Sequence, residues 1–291
     1  MPVLREMEVG LMFWGDKAPR KTLQLVKDLG VRCGHLGLAG QVPLAGAASA
    51  WKEAITQEDF AVTTVFASYE GESYADIPTV RRTVGFIPPS TREAREARTR
   101  EVIEFASALG VNSFACHVGW IPHDRTHHAY AVALDVVRRI CDYTAQYKML
   151  FALETGQETA EALLEFLDEV GRDNLRLNFD PANLVLYGTE DPLKALGAVG
   201  SHVVSVHCKD GNWPPKEPAG ALGTEMPLGE GSVNIPGFIK KLKEVGYRGP
   251  LTIEREVALD QDMDDRHKEG VAHPDDIRKA VKLLEELRDK N

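Results

Sequence analysis

Along most of the chain, short apolar and β-branched runs alternate with stretches of helical period. The pattern predicts strands over 7–14, 31–38, 61–69, 112–118, 150–154, 175–180, 203–208 and 249–254. Between and after them it predicts helices over 19–29, 49–57, 90–109, 126–147, 159–170, 191–199, 235–245 and 274–288. Gly30 and Gly110 follow two of these helices, the usual C-terminal stop. Ser90-Thr-Arg-Glu93 has the form of a capping box opening the 90–109 helix. Two long segments interrupt the rhythm, 70–90 and 211–231, both punctuated by Gly and Pro. Loops of that length in a compact domain are usually functional. Strand-then-helix repetition implies parallel pairing, and a count of eight units favours closure. The expectation is an α/β chain forming a single (β/α)8 barrel, the TIM-barrel architecture, over residues 1–291. No G-x-G-x-x-G follows the first strand, which argues against a dinucleotide-binding sheet.

The C-terminal ends of the last four strands carry the candidate chemistry. Leu150-Phe-Ala-Leu-Glu154, Leu175-Arg-Leu-Asn-Phe-Asp180, Val203-Val-Ser-Val-His207 and Leu251-Thr-Ile-Glu254 each deliver one ligand-capable side chain just before a polar loop. In a closed barrel these ends share one rim, the face on which active sites of such barrels lie. Neighbouring strands are about 4.8 Å apart and metal–ligand bonds about 2.0 to 2.3 Å long, so four consecutive strands can converge on one ion. A single acid at a strand end is commonly a helix cap or ion-pair partner, and a lone His is commonly a hydrogen-bonded core residue. The coincidence of four on consecutive strands favours a metal site at Glu154, Asp180, His207 and Glu254. Glu256 rivals Glu254, since both point to the same face of a regular strand. Three oxygen donors against one nitrogen favour Mn2+ or Mg2+, with Co2+ and Zn2+ as alternatives.

These four strands, Ala-Leu-Glu154-Thr-Gly, Asn-Phe-Asp180-Pro-Ala-Asn, Val-His207-Cys-Lys-Asp and Thr-Ile-Glu254-Arg, resemble the metal-binding strands of the xylose-isomerase-like sugar isomerase/epimerase superfamily. The resemblance extends from Gly10 to the last helix and includes Cys-His117-Val-Gly and Pro-Leu-Gly-Glu230-Gly. It implies one divalent ion, often Mn2+, on Glu154, Asp180, His207 and Glu254, with Glu154 and Glu254 doubling as catalytic acid/base groups. A keto-sugar or polyol-derived ketone would chelate the ion, which stabilises the charge of the enediolate while the two glutamates exchange a proton at the neighbouring carbon. His117 is a candidate for a sugar oxygen. Asn183 stands where ketose 3-epimerases of the superfamily tend to carry His, a departure that bears on substrate identity. Lys209 and Asp210 follow the metal His and are candidates to contact substrate or to orient the imidazole. Glu230 is a candidate to reach inward from its Gly-rich loop. Trp14, Trp120 and Trp213 follow strand ends, where their rings suit the C–H face of a sugar or packing under the long loops.

Charge narrows the choice. With a net charge of −10 and no basic cluster, the chain is not suited to a nucleic-acid partner. The run 92–100 is basic but interleaved with Glu, as on a solvated helix face. Endonuclease IV-like repair enzymes share the barrel but need a trinuclear zinc cluster, and His123, His127 and His128 gather before a helix instead. A Schiff-base aldolase would need an inward Lys, absent from 175–180, and no phosphate nest follows the last two strands, so the substrate is expected to be unphosphorylated. The alternative within enzymes is a metal-dependent lyase or dehydratase acting on a 3-keto-glycoside or keto-polyol; a sugar-binding protein without catalysis is the third class. The four cysteines, without C-x-x-C spacing, read as buried free thiols. With no signal-like N-terminus and no run of 18 apolar residues, the expectation is a cytoplasmic protein without a membrane partner. Homo-oligomers are common among such barrels.

Overall fold

The computed structural model describes residues 2–256 and 273–290. Eight parallel strands close in the order β1 (Val9–Trp14), β10 (Leu251–Ile253), β7 (Val203–Cys208), β6 (Leu175–Phe179), β5 (Leu150–Glu154), β4 (Ser113–Cys116), β3 (Ala61–Ala67) and β2 (Cys33–Leu38), β2 returning to β1. The predicted barrel is the observed one, with strand ends trimmed by a few residues. Around it run α1 (Pro19–Lys27), α2 (Ala47–Gln57), α4 (Arg92–Leu109), α5 (His128–Gln146), α6 (Ala160–Val170), α8 (Pro192–Val199), α9 (Ile235–Glu244) and α10 (Pro274–Asp289). Part of the predicted strand-eight loop, from 257 onward, lies outside the described residues.

Strands buried on both faces divide the core in two. Outward-pointing residues such as Leu36, Phe114, Phe151, Leu177 and Phe179 pack with the helices in one large apolar ring. Inward-pointing ones form a small separate cluster of Met12, Phe66, Ala115 and Ala152, with Trp14 and Val204 against it. The period of two along β4 shows the division: Phe114 faces the helices, Ala115 the lumen. The large ring carries the apolar burial, which leaves the lumen free for polar side chains.

Both long segments contain structure that the sequence pattern did not predict. Within 70–90 sits α3 (Ile77–Thr83), capped by Asp76, whose carboxylate accepts from the Thr79 amide at 2.7 Å. The buried Glu72 carboxylate collects the amides of Tyr69 and Gly85. The capping box at Ser90 does not form: Thr91 is the N-cap of α4 and makes no side-chain cap bond. Arg92 and Arg95 instead tie the preceding loop to α4, donating to the carbonyls of Phe86, Ile87, Thr83, Gly85 and Glu70. After β7, the antiparallel pair β8 (Asp210–Asn212) and β9 (Thr224–Met226) forms a short flap, and the turn α7 (Pro181–Leu186) follows β6. Cys33, Cys116, Cys141 and Cys208 are all buried and unbridged. Among the described residues, no helix is long and apolar enough to cross a membrane.

Gly34 in β2 marks the tightest approach in the barrel wall, where a Cβ would lie 2.0 Å from the Leu11 carbonyl oxygen. Gly197, exposed in α8, has no heavy atom within 4 Å of that position. Urea unfolding should therefore split the two substitutions. Gly34→Ala is expected to lose about 1–3 kcal/mol through backbone overpacking, and Gly197→Ala to gain up to about 1 kcal/mol from helix propensity.

Candidate metal centre

Strand periodicity sets two polar levels in the lumen. Asn178 and Ser205 lie below, two residues before Asp180 and His207 on their own strands, and Asn178 pairs in register with both Glu154 and Ser205. The Ser205 hydroxyl donates to Asn178 Oδ1 at 2.6 Å, which turns the amide nitrogen of Asn178 toward Glu154 Oε2. The other oxygen of Glu154 then faces the centre, 3.0 Å from His207 Nδ1. Glu254 Oε2 stands 3.4 Å from the same nitrogen. One ligand atom from each of Glu154, Asp180, His207 and Glu254 lies within 4.8 Å of all the others.

Asp180 divides its carboxylate. Oδ1 caps α7, accepting from the amides of Ala182 at 2.7 Å and Asn183 at 3.1 Å. Oδ2 is buried and accepts no hydrogen bond; Lys209 Nζ is 3.9 Å from it. A buried carboxylate oxygen without a donor is costly. Three carboxylates and an imidazole converging beside such an oxygen fit a divalent cation of the hard or borderline type.

The titration behaviour of the cluster reflects the same crowding of negative charge. Burial, reinforced by Glu254 and Glu154 against the pull of Lys209, pushes the Asp180 carboxyl well above its usual range. Burial alone would lower His207, but Glu154 and Glu254 raise it well above an ordinary histidine. Glu254 goes the other way: despite burial, His207 and Lys209 hold it well below the usual carboxylate range. Lys209, 4% exposed, donates to Glu254 at 3.0 Å and to Glu256 at 2.8 Å. Glu254 is thus kept ionised and Glu256 is drawn onto the ammonium.

Above the cluster opens a narrow cleft. Trp14, Phe66 and Tyr74 wall one side, and His117, Asn183, Lys209, Glu254 and Glu256 supply polar atoms. Of the sequence-predicted substrate residues, Trp14, His117, Asn183 and Lys209 therefore meet here. Asn183 donates to the Thr155 carbonyl at 2.9 Å, and His117 packs against Phe66 and Tyr74. Trp120 lies outside this lining, beneath the Arg81 guanidinium at 4.6 Å and beside His127. Asp210 turns away from His207 and accepts from the amides of Gly211, Gly229, Gly231 and Val233, pinning the flap. Glu230 is exposed, and the acid that turns inward from that excursion is Glu225, bound to Arg255 at 2.7 Å. Trp213 is 44% exposed. Tyr74, Tyr187 and Leu222 line the cleft without having been predicted, because they come from the irregular segments.

With the geometry established, three likenesses bear on it. A xylose isomerase domain protein from Planctomyces limnophilus is 36% identical, with 97% of this chain and 98% of that one covered at a TM-score of 0.86. An L-ribulose 3-epimerase from Methylomonas sp. is 27% identical over 166 residues, 53% of this chain and 54% of the relative; the chain spans about half the length of the curated relatives it matches. A D-allulose 3-epimerase of Methylomonas sp. shares the fold at 20% identity and a TM-score of 0.68, over 99% of this chain and all of that one. The model of the xylose isomerase-like TIM barrel family matches residues 23–287. By that match and by the Planctomyces likeness, the chain belongs to the xylose isomerase-like TIM barrel family.

Proposed function

We propose that this protein is a divalent-metal-dependent isomerase or epimerase of an unphosphorylated keto-sugar or polyol-derived ketone. Glu154, Asp180, His207 and Glu254 hold one cation, Mn2+ by preference and otherwise Mg2+, Co2+ or Zn2+. The observation that carries this reading is the bare, buried Oδ2 of Asp180 in the midst of three other ligand atoms. The names of the relatives, epimerases of L-ribulose and D-allulose, support the substrate class. When bound, the cation supplies Lewis-acid stabilisation of negative charge on the substrate's oxygens.

The protein's own side chains handle the proton. Glu154 and Glu254 come from strands on either side of β6 and β7, so a ketone held between them meets a carboxylate on each face. One takes the proton from the carbon beside the carbonyl and the other returns one, which inverts the centre or shifts the carbonyl. Lys209 keeps Glu254 in its basic form, and Asn178 holds one oxygen of Glu154 so that the other stays aimed. Trp14, Phe66 and Tyr74 offer apolar faces to the C–H side of the substrate and exclude water. In the lining, the cation is Lys209, already engaged by Glu254 and Glu256. With that ammonium already paired to two carboxylates, the lining is better matched to an uncharged sugar than to a phosphate.

Two measurements test this. In D2O with Mn2+ and a panel of ketoses, inososes and 3-keto-glucosides, NMR should show deuterium entering beside the carbonyl with the skeleton retained. Glu254→Gln should slow that exchange by roughly 10²–10⁴-fold, the usual contribution of a positioned base. Release of water or an aglycone would instead establish the lyase reading. Separately, the cation-stripped protein should gain about 2.7 kcal/mol of stability at 100 times the Kd for Mn2+. Asp180→Asn, which keeps a cap acceptor on α7, should abolish that gain in a thermal melt; a melt that still responds refutes the ligand set.

A further inference from the structure

His35 is a buried residue that the catalytic scheme above does not use. It lies in β2 and is 1% exposed. Its neighbours in register are Met12 and Thr64. Two strands, β1 and β10, separate β2 from β7 around the wall, yet the His35 side chain crosses the lumen to β7. There its Nδ1 sits 3.1 Å from His207 Nε2, with the ring planes tilted by 51°. This is an in-plane hydrogen bond between imidazoles, not a stack. Phe66 flanks the His207 ring at 5.7 Å and confines it from the side. His35 is not among the residues that line the cleft.

A histidine filling this place for bulk alone would bury polar nitrogens that an aliphatic residue lacks. With His207 neutral, as a metal ligand must be, two tautomeric arrangements satisfy the hydrogen bond. In one, His35 donates from Nδ1 to a bare His207 Nε2, which leaves a proton on His207 Nδ1 pointing among Glu154 and Glu254. In the other, His207 donates from Nε2 to a bare His35 Nδ1, and His207 Nδ1 carries a lone pair toward the carboxylates. Only the second arrangement lets Nδ1 serve as a ligand.

We propose that His35 is a positioning residue for the metal-binding His207: by accepting from Nε2–H across the barrel, it fixes the tautomer that presents Nδ1 to the cation. The proposal rests on the metal reading of the cluster given above. Metal-bound histidines commonly pass their second N–H to a carboxylate, a carbonyl or water. Here a second imidazole takes that place, so the acceptor itself must be held in one tautomer. His35 then partners His207, and Asn178, oriented by Ser205, partners Glu154, so each of these two ligands is held on the side away from the cation.

The test combines affinity with direct detection of the proton. Free Mn2+ measured by EPR should give a Kd for His35→Leu weaker than wild type by roughly 10–100-fold, the usual effect of losing an outer partner of a metal ligand. His35→Asn, whose Oδ1 occupies the place of Nδ1, should keep wild-type affinity. Long-range 1H–15N spectra of the Zn2+-loaded wild type should show the His207 proton on Nε2. If wild type binds no cation, the metal site and the latch fall together. If wild type binds and His35→Leu binds equally well, or the Leu and Asn variants weaken alike, the latch alone is overturned. Should His35→Leu not fold, the wild-type spectrum decides: a proton on His207 Nδ1 refutes the proposal.

Discussion

Three carboxylates, an imidazole and an ammonium meet in the barrel mouth with Asp180 and His207 fully removed from solvent and Lys209 nearly so. Charges taken out of water at this density cost far more than an apolar lumen would, unless each finds a partner of opposite sign or a donor. Most of the arrangement can be read as the answer to that cost. Lys209 ties Glu254 and Glu256, Asn178 quiets one oxygen of Glu154, and the first turn of α7 receives one oxygen of Asp180 at its positive end. What is left over is negative and unsatisfied, and it lies at a single point.

The fold tolerates this because its stability is carried elsewhere. Phe114, Phe151, Phe166, Phe179 and Phe238 are fully buried between strands and helices. Among the described residues, the lumen by contrast holds the small apolar cluster of Met12, Phe66, Ala115 and Ala152 and a column of hydrogen-bonding side chains. Parallel strands with both faces covered make this separation available: one face of each strand builds the apolar layer while the other is released for polar work. The rim that carries the candidate site therefore stands on a scaffold whose packing does not depend on the converging polar groups.

The sequence shows the barrel and the four converging side chains because both obey simple periods. Apolar runs of strand length repeat, and Glu154, Asp180, His207 and Glu254 each end one. His35 and Asn178 obey the same period but sit inside strands, where a lone polar residue looks like a satisfied core member. Their partners come from other strands, across the lumen for His35, and no local pattern encodes such a contact. Of Glu254 and Glu256, both bonded by Lys209, it is Glu254 that converges with Glu154, Asp180 and His207. Asp210 follows Lys209 after His207, yet its carboxylate is taken up by the amides of the flap. Glu230 shares its loop with Glu225, and only tertiary contact with Arg255 determines which of the two is drawn in. The helix inside 70–90 was hidden because its proline and polar turns read as punctuation, although Asp76 followed closely by Pro78 is a fair start signal.

The ligands occupy one contiguous arc, β5, β6, β7 and β10, while Trp14, Phe66, Ser68, Tyr74 and His117 come from β1, from β3 with the loop after it, and from just beyond β4. The candidate ligands and one wall of the cleft thus lie on opposite halves of the circumference, while Asn183, Tyr187 and Lys209 line it from the ligands' own half. A lineage can recut the wall contributed by the first half while inheriting the candidate ligands of the second unchanged. His35 bonds the first half to the second inside the lumen, which makes β2 a stave through which drift in the wall would reach the candidate ligands directly.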